Sequence, residues 1–298
     1  MITCLLYFPK IKKLSEGKFR KAIYIQVLLL NFASKLAKMN LAVDIGNSTS
    51  VKCSLFEHDC LEWHAKLPGT SCRELEDILQ RYAVDAMIVS SVGNSSEKWN
   101  DTLSDKKIPV LWLSNKTPLP IQIAYQTPQT LGSDRIAAAV GSKKMFPDSD
   151  LLVVDMGTCV TYDLLKADGT YMGGNIAPGM RLRWAVMHEK TARLPLIDGS
   201  QLEKWPELMG KNTQEALLGG VLWGMAAELE AYYTKLKKEY TNIRVVLTGG
   251  DAPLFKEHLD IEKIDNVAYL VEIGLNTILE FNIKNGYKEM DFHNCLCS

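Results

Sequence analysis

Residues 151–165 read LLVVDMGTCVTYDLL. The run Leu151–Val154 is apolar enough for a buried strand, and Asp155 and a Gly157-Thr158 turn break it before apolar alternation resumes at Val160. A strand of that kind carries one carboxylate to a tight turn and doubles back. Residues 41–55, LAVDIGNSTSVKCSL, repeat the plan: apolar strand, D-x-G, hydroxyl-bearing residues, second strand. The two stretches lie roughly 110 residues apart, about one domain length. A repeat at that spacing predicts two structurally similar halves, each opening with a β-hairpin.

Outward from these hairpins the chain alternates strand and helix patterns. In the first half, 61–67, 86–90 and 110–113 read as strands and 72–82 as a helix capped by Ser71. A second helix is expected over 95–103, an extended Pro-flanked stretch over 119–125, and a helix over 132–145 with AAAV on its buried face. The second half adds a strand at 171–176, a turn or helix start at Pro178-Gly179, and a long helix over 213–240. Leu217, Val221, Met225 and Leu229 fall at helical spacing in that last segment. A strand at 244–247 runs into Thr248-Gly249-Gly250-Asp251, and 271–281 closes as a helix. The pattern is α/β with mixed sheets.

Bulk numbers narrow the class. With 298 residues and 47% hydrophobic content, the chain has material for two domains or one large one. Seven cysteines without a CxxC pair favour reduced thiols in a cytoplasmic protein, and five scattered histidines give no zinc spacing. Net charge is −1, but residues 1–38 hold eight Lys and Arg against Glu16 alone, a net +7 that leaves −8 on the rest. An acidic body has no broad footprint for nucleic acid. The apolar part of the basic head, Ala22–Leu30, is about half of the roughly 20 residues a membrane span needs. Met39, two residues before the first strand, is the expected true start, and a surface-binding amphipathic arm is the competing reading.

The D-x-G turns carry the first chemistry. Backbone N–H groups of a Gly- and hydroxyl-rich turn form an anion nest, to which Asn47, Ser48, Thr158 and Thr161 add donors. Asp44 and Asp155 repel phosphate but hold cations that bridge to it, and magnesium suits carboxylates plus phosphate oxygens. Two such hairpins across a cleft would grip a nucleotide triphosphate from both sides; a single D-x-G is more often a plain turn. In TLGSDRIAAAV, 130–140, Asp134 reads either as a helix-dipole residue or as a general base, with Arg135 holding an anionic substrate group. Thr248–Asp251 is either a strand-to-helix turn or a close backbone approach to a flat ligand such as adenine. Trp184 is either core or interface.

The ordered set DIGNSTS, GSDR, DMGTCVTYD, GGNIAPG and TARLP resembles the type III pantothenate kinases. These belong to the acetate and sugar kinase, Hsp70 and actin superfamily. The resemblance runs from Met39 to about residue 280. It implies a duplicated ribonuclease H-like (actin-like ATPase) fold, two lobes with mixed sheets around a nucleotide cleft. The lobes would span 39–150 and 151–282, between a basic extension (1–38) and a tail (283–298). It implies phosphorylation of pantothenate by ATP, the first step towards coenzyme A, with magnesium and potassium or ammonium, in a cytoplasmic homodimer that binds neither nucleic acid nor membrane.

Site residues follow by matching motif. Asp44, Ile45, Gly46, Asn47, Ser48, Thr49, Ser50 and Val51 match the first phosphate loop, with Asp44 near magnesium, and Thr158 matches an ATP contact. Asp134 matches the catalytic base. Tyr125, Gly132, Ser133, Asp134, Arg135 and Thr191 match substrate contacts. Asp155 matches the ligand for the monovalent cation. Lys52 lies one place beyond a lysine that some members use for phosphate, and the pleat then assigns it to the opposite face. A sugar or acetate kinase, or a nucleotide-binding regulator without transfer activity, are the rival readings.

Overall fold

The computed structural model describes residues 38–46, 50–68, 72–91, 108–199 and 204–287. The basic head before 38, Asn47–Thr49, the Ser71 cap, the 95–103 helix and the tail beyond 287 lie outside the described residues. The first hairpin is β1 (Met39–Ile45) and β2 (Ser50–Glu57), followed by β3 (Cys60–Pro68), α1 (Cys72–Arg81), β4 (Val84–Ser91) and β5 (Val110–Trp112). A short β6 (Gln122–Ile123) and α2 (Ser133–Met145) lead to the second hairpin, β7 (Leu151–Met156) and β8 (Cys159–Leu165). Then come β9 (Thr170–Pro178), α3 (Met180–Lys190), α4 (Thr213–Leu236), β10 (Arg244–Thr248), α5 (Ala252–Lys256), β11 (Ile264–Asn266) and α6 (Leu270–Lys284).

The repeat seen in the sequence is a repeat of topology. One sheet runs β3-β2-β1-β4-β5 and the other β9-β8-β7-β10-β11, with β6 added beyond β9. In both, the first three strands pair antiparallel and the last two parallel to the central one. This is the duplicated ribonuclease H-like architecture.

Strand alternation decides where the acids go. In β1, Leu41, Val43 and Ile45 pack outward with α1, while Ala42 enters the cluster between the sheets. Period two therefore turns Asp44 inward. In β7, Leu152, Val154 and Met156 pack outward with α3, α4 and α5, and Leu151 and Val153 pack inward, which turns Asp155 inward as well. The inner layer is filled by α2 and α6, which cross so closely that a Cβ on Gly141 would strike the Leu270 carbonyl and one on Gly274 the Ala137 carbonyl. Helix α6 lies on β1 and β4, whereas α2 lies on β7 and β8. Each half thus lends its last helix to the other half's sheet. Although both precede residue 151, β6 pairs with β9 of the second sheet and α2 packs on it.

Local details differ from the sequence expectations in explicable ways. Helix α4 starts at a cap, with Asn212 Oδ1 accepting from Glu215 N at 3.0 Å and Glu215 Oε2 accepting from Lys211 N at 2.7 Å. It stops at Leu236 rather than 240, because turns through Tyr240 deliver Ile243 to the core ahead of β10. Trp184 is core: it is 1% exposed and its indole N–H donates to the Leu217 carbonyl at 2.9 Å. Among the described residues no helix is long and apolar enough to cross a membrane.

Candidate active site

The two inward acids and the head of α2 share one electrostatic environment. Asp44 sits between its register partners Lys52 on β2 and Ser90 on β4. Asp155 sits between Thr161 on β8 and Thr248 on β10. Ser90 Oγ lies 2.8 Å from Ser133 Oγ, which ties β4 to the first residue of α2 and brings Asp134 to the same place. The charge of Asp134 acts on both Asp44 and Asp155, and that of Asp44 acts on Asp155. The structure therefore brings Asp44, Asp155 and Asp134 together at the inner edge of both sheets.

Burial sets their proton affinities. Desolvation raises the Asp44 carboxyl above the usual range, with Lys52 opposing it. Desolvation likewise pushes Asp155 up to about 6, again against Lys52 and with the neighbouring acids adding to the rise. A fourth acid, Glu272 in the first turn of α6, is raised by burial too. Among the described residues, one cation serves the group. Lys52 Nζ lies 3.2 Å from Asp44 Oδ2 and 3.8 Å from Glu272 Oε1. Burial works against its ammonium, but Asp44, Glu272 and Asp155 outweigh that and raise its pKa.

Lys52 corrects the sequence reading. The pleat sets it on the face opposite the family lysine and leaves it out of the site, yet the hairpin register sets it directly across from Asp44, and directly paired residues share a face. A count along the hairpin from its turn would have revealed this; a count from the position of the family lysine did not. Glu272 had no sequence signal, because only the α6 crossing brings it within reach.

The loops around the acids are shaped by glycine. Gly249 has φ +91°, and a Cβ there would collide with Asp155 Oδ1 and the Met156 carbonyl, so the turn after β10 wraps the second acid. Gly250 faces open space, while Asp251 accepts from Arg181 Nη1 at 2.7 Å. A Cβ on Gly132 would press on Asp134 Oδ1, which in turn accepts from Arg135 N at 2.8 Å. Gly179 donates to the Thr158 carbonyl at 3.0 Å and seats the start of α3 against the exposed second turn.

The other sequence-selected residues are placed as follows. Ile45 and Val51 are core side chains, so only their backbone is available to a ligand; Gly46 is half-buried with open space beside it. Asn47, Ser48 and Thr49 fall outside the described residues, as does the side chain of Ser50. Arg135 is buried, and its Nε and Nη2 donate to Asp163 Oδ1 at 2.9 and 2.5 Å. Tyr125 lies under that guanidinium, 5.9 Å from ring centroid to Cζ. Thr191 is not brought to the acids: it is exposed, ends α3, and its hydroxyl donates to its own helix at the Met187 carbonyl.

A cation site fits part of this set. Asp44 Oδ1 is buried with no hydrogen-bond partner, an open acceptor on a group that burial penalises. Among the described residues no three His, Cys, Asp or Glu side chains form a closed metal cage. One or two carboxylates completed by phosphate oxygens and water is the arrangement magnesium tolerates well. An apolar groove of 490 Å³ between α3 and α4, lined by Leu182, Val186 and Val221 among others, shares no residue with the acids.

Comparison with known proteins gives the lineage. The chain is 40% identical over 244 residues to a type III pantothenate kinase of Bacteroides fragilis, covering 82% of this chain and 98% of the relative. It is 37% identical to that of Porphyromonas gingivalis, with 82% and 99% covered. A solved Campylobacter jejuni structure described as a Baf family transcriptional activator superposes with TM-score 0.52 at 23% identity, covering 82% and 99% of the two chains. A Listeria monocytogenes structure described as an N-acetylmannosamine kinase gives TM-score 0.52 at 15% identity, covering 83% and 99%. These two likenesses speak for the fold alone. The family model for type III pantothenate kinase matches residues 40–235, which include both acid-tipped hairpins and the GSDR helix start between them, and the chain belongs to that family.

Proposed function

We propose that this protein transfers the γ-phosphoryl group of ATP to the primary hydroxyl of pantothenate, the opening step of coenzyme A synthesis. The observation that supports it best is the convergence of Asp44, Asp155 and Asp134 from two sheets and one helix start. Asp134 is the general base: it accepts the hydroxyl proton as the oxygen forms its bond to Pγ and the bond from Pγ to the β-phosphate bridge breaks, releasing ADP. Its share is modest, since a loose transition state asks mainly for position and charge neutralisation. The hairpin amides, Thr158 and Lys52 hold the phosphates. Asp44, through its open oxygen, is the group that would hold magnesium, and Asp155 the one for potassium or ammonium. When bound, such ions neutralise phosphate charge.

Tyr125, Gly132, Ser133 and Arg135 form the pantothenate side, where Arg135 meets the carboxylate with the guanidinium edge that Asp163 does not use. Thr191 lies at the far end of α3, an 11-residue helix about 16 Å long, from the end seated on Thr158. It serves best as a substrate contact across a homodimer. Exposed Ile176, Leu182, Val186 and Leu196 near α3 supply apolar area for that contact. The free thiols of Cys53, Cys60 and Cys159 suit a reducing, cytoplasmic setting.

A coupled ADP-release assay tests the reading against pantothenate, a panel of sugars, and acetate. Turnover with pantothenate alone is expected. Turnover with a sugar or acetate instead transfers the assignment to a sister kinase, and no turnover at all favours a regulator. Asp134→Asn is expected to lose about 100-fold or more in kcat while still binding ATP. Near-normal turnover would remove Asp134 from the mechanism.

A further inference from the structure

We propose that Asp163, backed by Tyr171, is a positioning residue that sets which edge of Arg135 meets the substrate and so selects an acid over the corresponding alcohol. The inference rests on the pantothenate reading and deepens it. The geometry that points to it is one-sided. Arg135 Nε and Nη2 and the Tyr171 hydroxyl all converge on Asp163 Oδ1, the last at 2.6 Å. Asp163 Oδ2 is buried and accepts no well-aligned hydrogen bond, although the Thr161 side chain beside the carboxyl still favours its charged form. Arginine–carboxylate pairs are frequently bidentate, fork to fork through both oxygens, and this one is not. Here the carboxylate accepts three donors on one atom, which fixes the rotation of the guanidinium rather than saturating it.

The surroundings are built to hold that rotation. Tyr125 covers one face of the guanidinium and meets the Tyr171 ring edge-on at 6.2 Å between centroids. Gly173, at φ +121°, supplies the left-handed backbone that carries β9 past Tyr125. A Cβ on Gly174 would collide with the Tyr162 carbonyl, Asp163 Oδ1 and Arg135 Nη2. Alternation places Asp163 two residues from Thr161, the register partner of Asp155, so Asp163 and Asp155 lie on the same face of the second sheet. Arg135 itself follows Asp134 directly, so a guanidinium rotated out of place would shift the substrate carboxylate and the hydroxyl end relative to the base. A substrate acid completes the shared arginine by binding its remaining edge. A neutral alcohol cannot do so and loses a charge-assisted pair.

The test uses the full-length protein, its Asp163→Asn and Tyr171→Phe variants, and two acceptors: pantothenate and the analogue whose carboxylate is replaced by a primary alcohol. In Asp163→Asn the KM for pantothenate is expected to rise about tenfold or more, equivalent to roughly 1.4 kcal/mol. KM for ATP and kcat/KM for the alcohol should stay within about threefold. Tyr171→Phe, which removes one donor and keeps the ring, should move the pantothenate KM in the same direction by a smaller factor. It carries the test alone if Asp163→Asn does not fold. Unchanged pantothenate KM in Tyr171→Phe and in any folded Asp163→Asn, or equal losses for acid and alcohol, would overturn the proposal. Wild-type protein that ignores pantothenate overturns the parent reading, and this one with it, and is recognised before any variant is compared.

Discussion

Asp155 is a carboxylate that folding forces into an unfavourable place, and the consequence is measurable as stability. Its pKa rises from an ordinary 3.8 to about 6 through burial against Gly249 and the crowding of Asp134, Asp44 and Glu272. The folded chain thus holds this proton more tightly than the unfolded chain does. Stability contributed by the protonated form is fully present below pH 4 and is lost as pH rises through 6. A shift of about two units corresponds to at most about 3 kcal/mol. Asp155→Asn keeps the shape and removes the charge, so the penalty disappears. At 2–4 °C per kcal/mol for a chain of this size, the variant should melt up to about 6–12 °C above wild type at pH 7.5 and within about 1 °C of it at pH 3. The assay is thermal unfolding by circular dichroism in a chelator-treated buffer free of potassium and ammonium. Restoring potassium alone should raise the wild-type midpoint and leave the variant, which lacks the carboxylate for that ion, little changed. An Asp155→Asn midpoint equal to or below wild type at pH 7.5, with no pH dependence in the difference, would refute the reasoning. The variant should also lose activity, the usual exchange when a site is kept charged at the expense of stability.

Three further outcomes follow. Lys52→Met removes the cation that faces Asp44, Glu272 and Asp155; with a side chain 40% exposed, the loss should be about 1–3 kcal/mol at pH 7.5 by denaturant titration, shrinking on acidification, with a raised KM for ATP. Gly274→Ala drives a methyl into the Ala137 carbonyl where α6 crosses α2, and should destabilise by more than about 2 kcal/mol or prevent folding, read by urea unfolding. Trp184→Ala opens the outer core and leaves the Leu217 carbonyl without its indole donor, at about 3–5 kcal/mol by the same measurement.

The local rules of the chain were legible early. The D-x-G hairpins at 44 and 155, their repetition, the helix opening at Gly132 and the strand before Thr248 are all set by neighbours in sequence: apolar period, turn chemistry and caps. That is enough for the duplication and for two of the acids, because strand alternation from Leu41 or Leu151 already assigns Asp44 and Asp155 to one face, whereas the role of Asp134 came from the resemblance of GSDR to the family. What required the tertiary structure is everything that depends on which strand lies beside which and which helix crosses it. Lys52 joins the acids through the β1–β2 register. Glu272 joins them only because α6 is lent to the first sheet, 228 residues from Asp44 along the chain. Arg135 changes from a free anion grip to a guanidinium held by Asp163 and Tyr171, partners on β8 and β9 that no spacing rule connects to α2. Short-range sterics and hydrogen bonding act between residues a few places apart and can be read from order alone. Desolvation and Coulomb coupling depend on distance in space, and only the folded chain sets that.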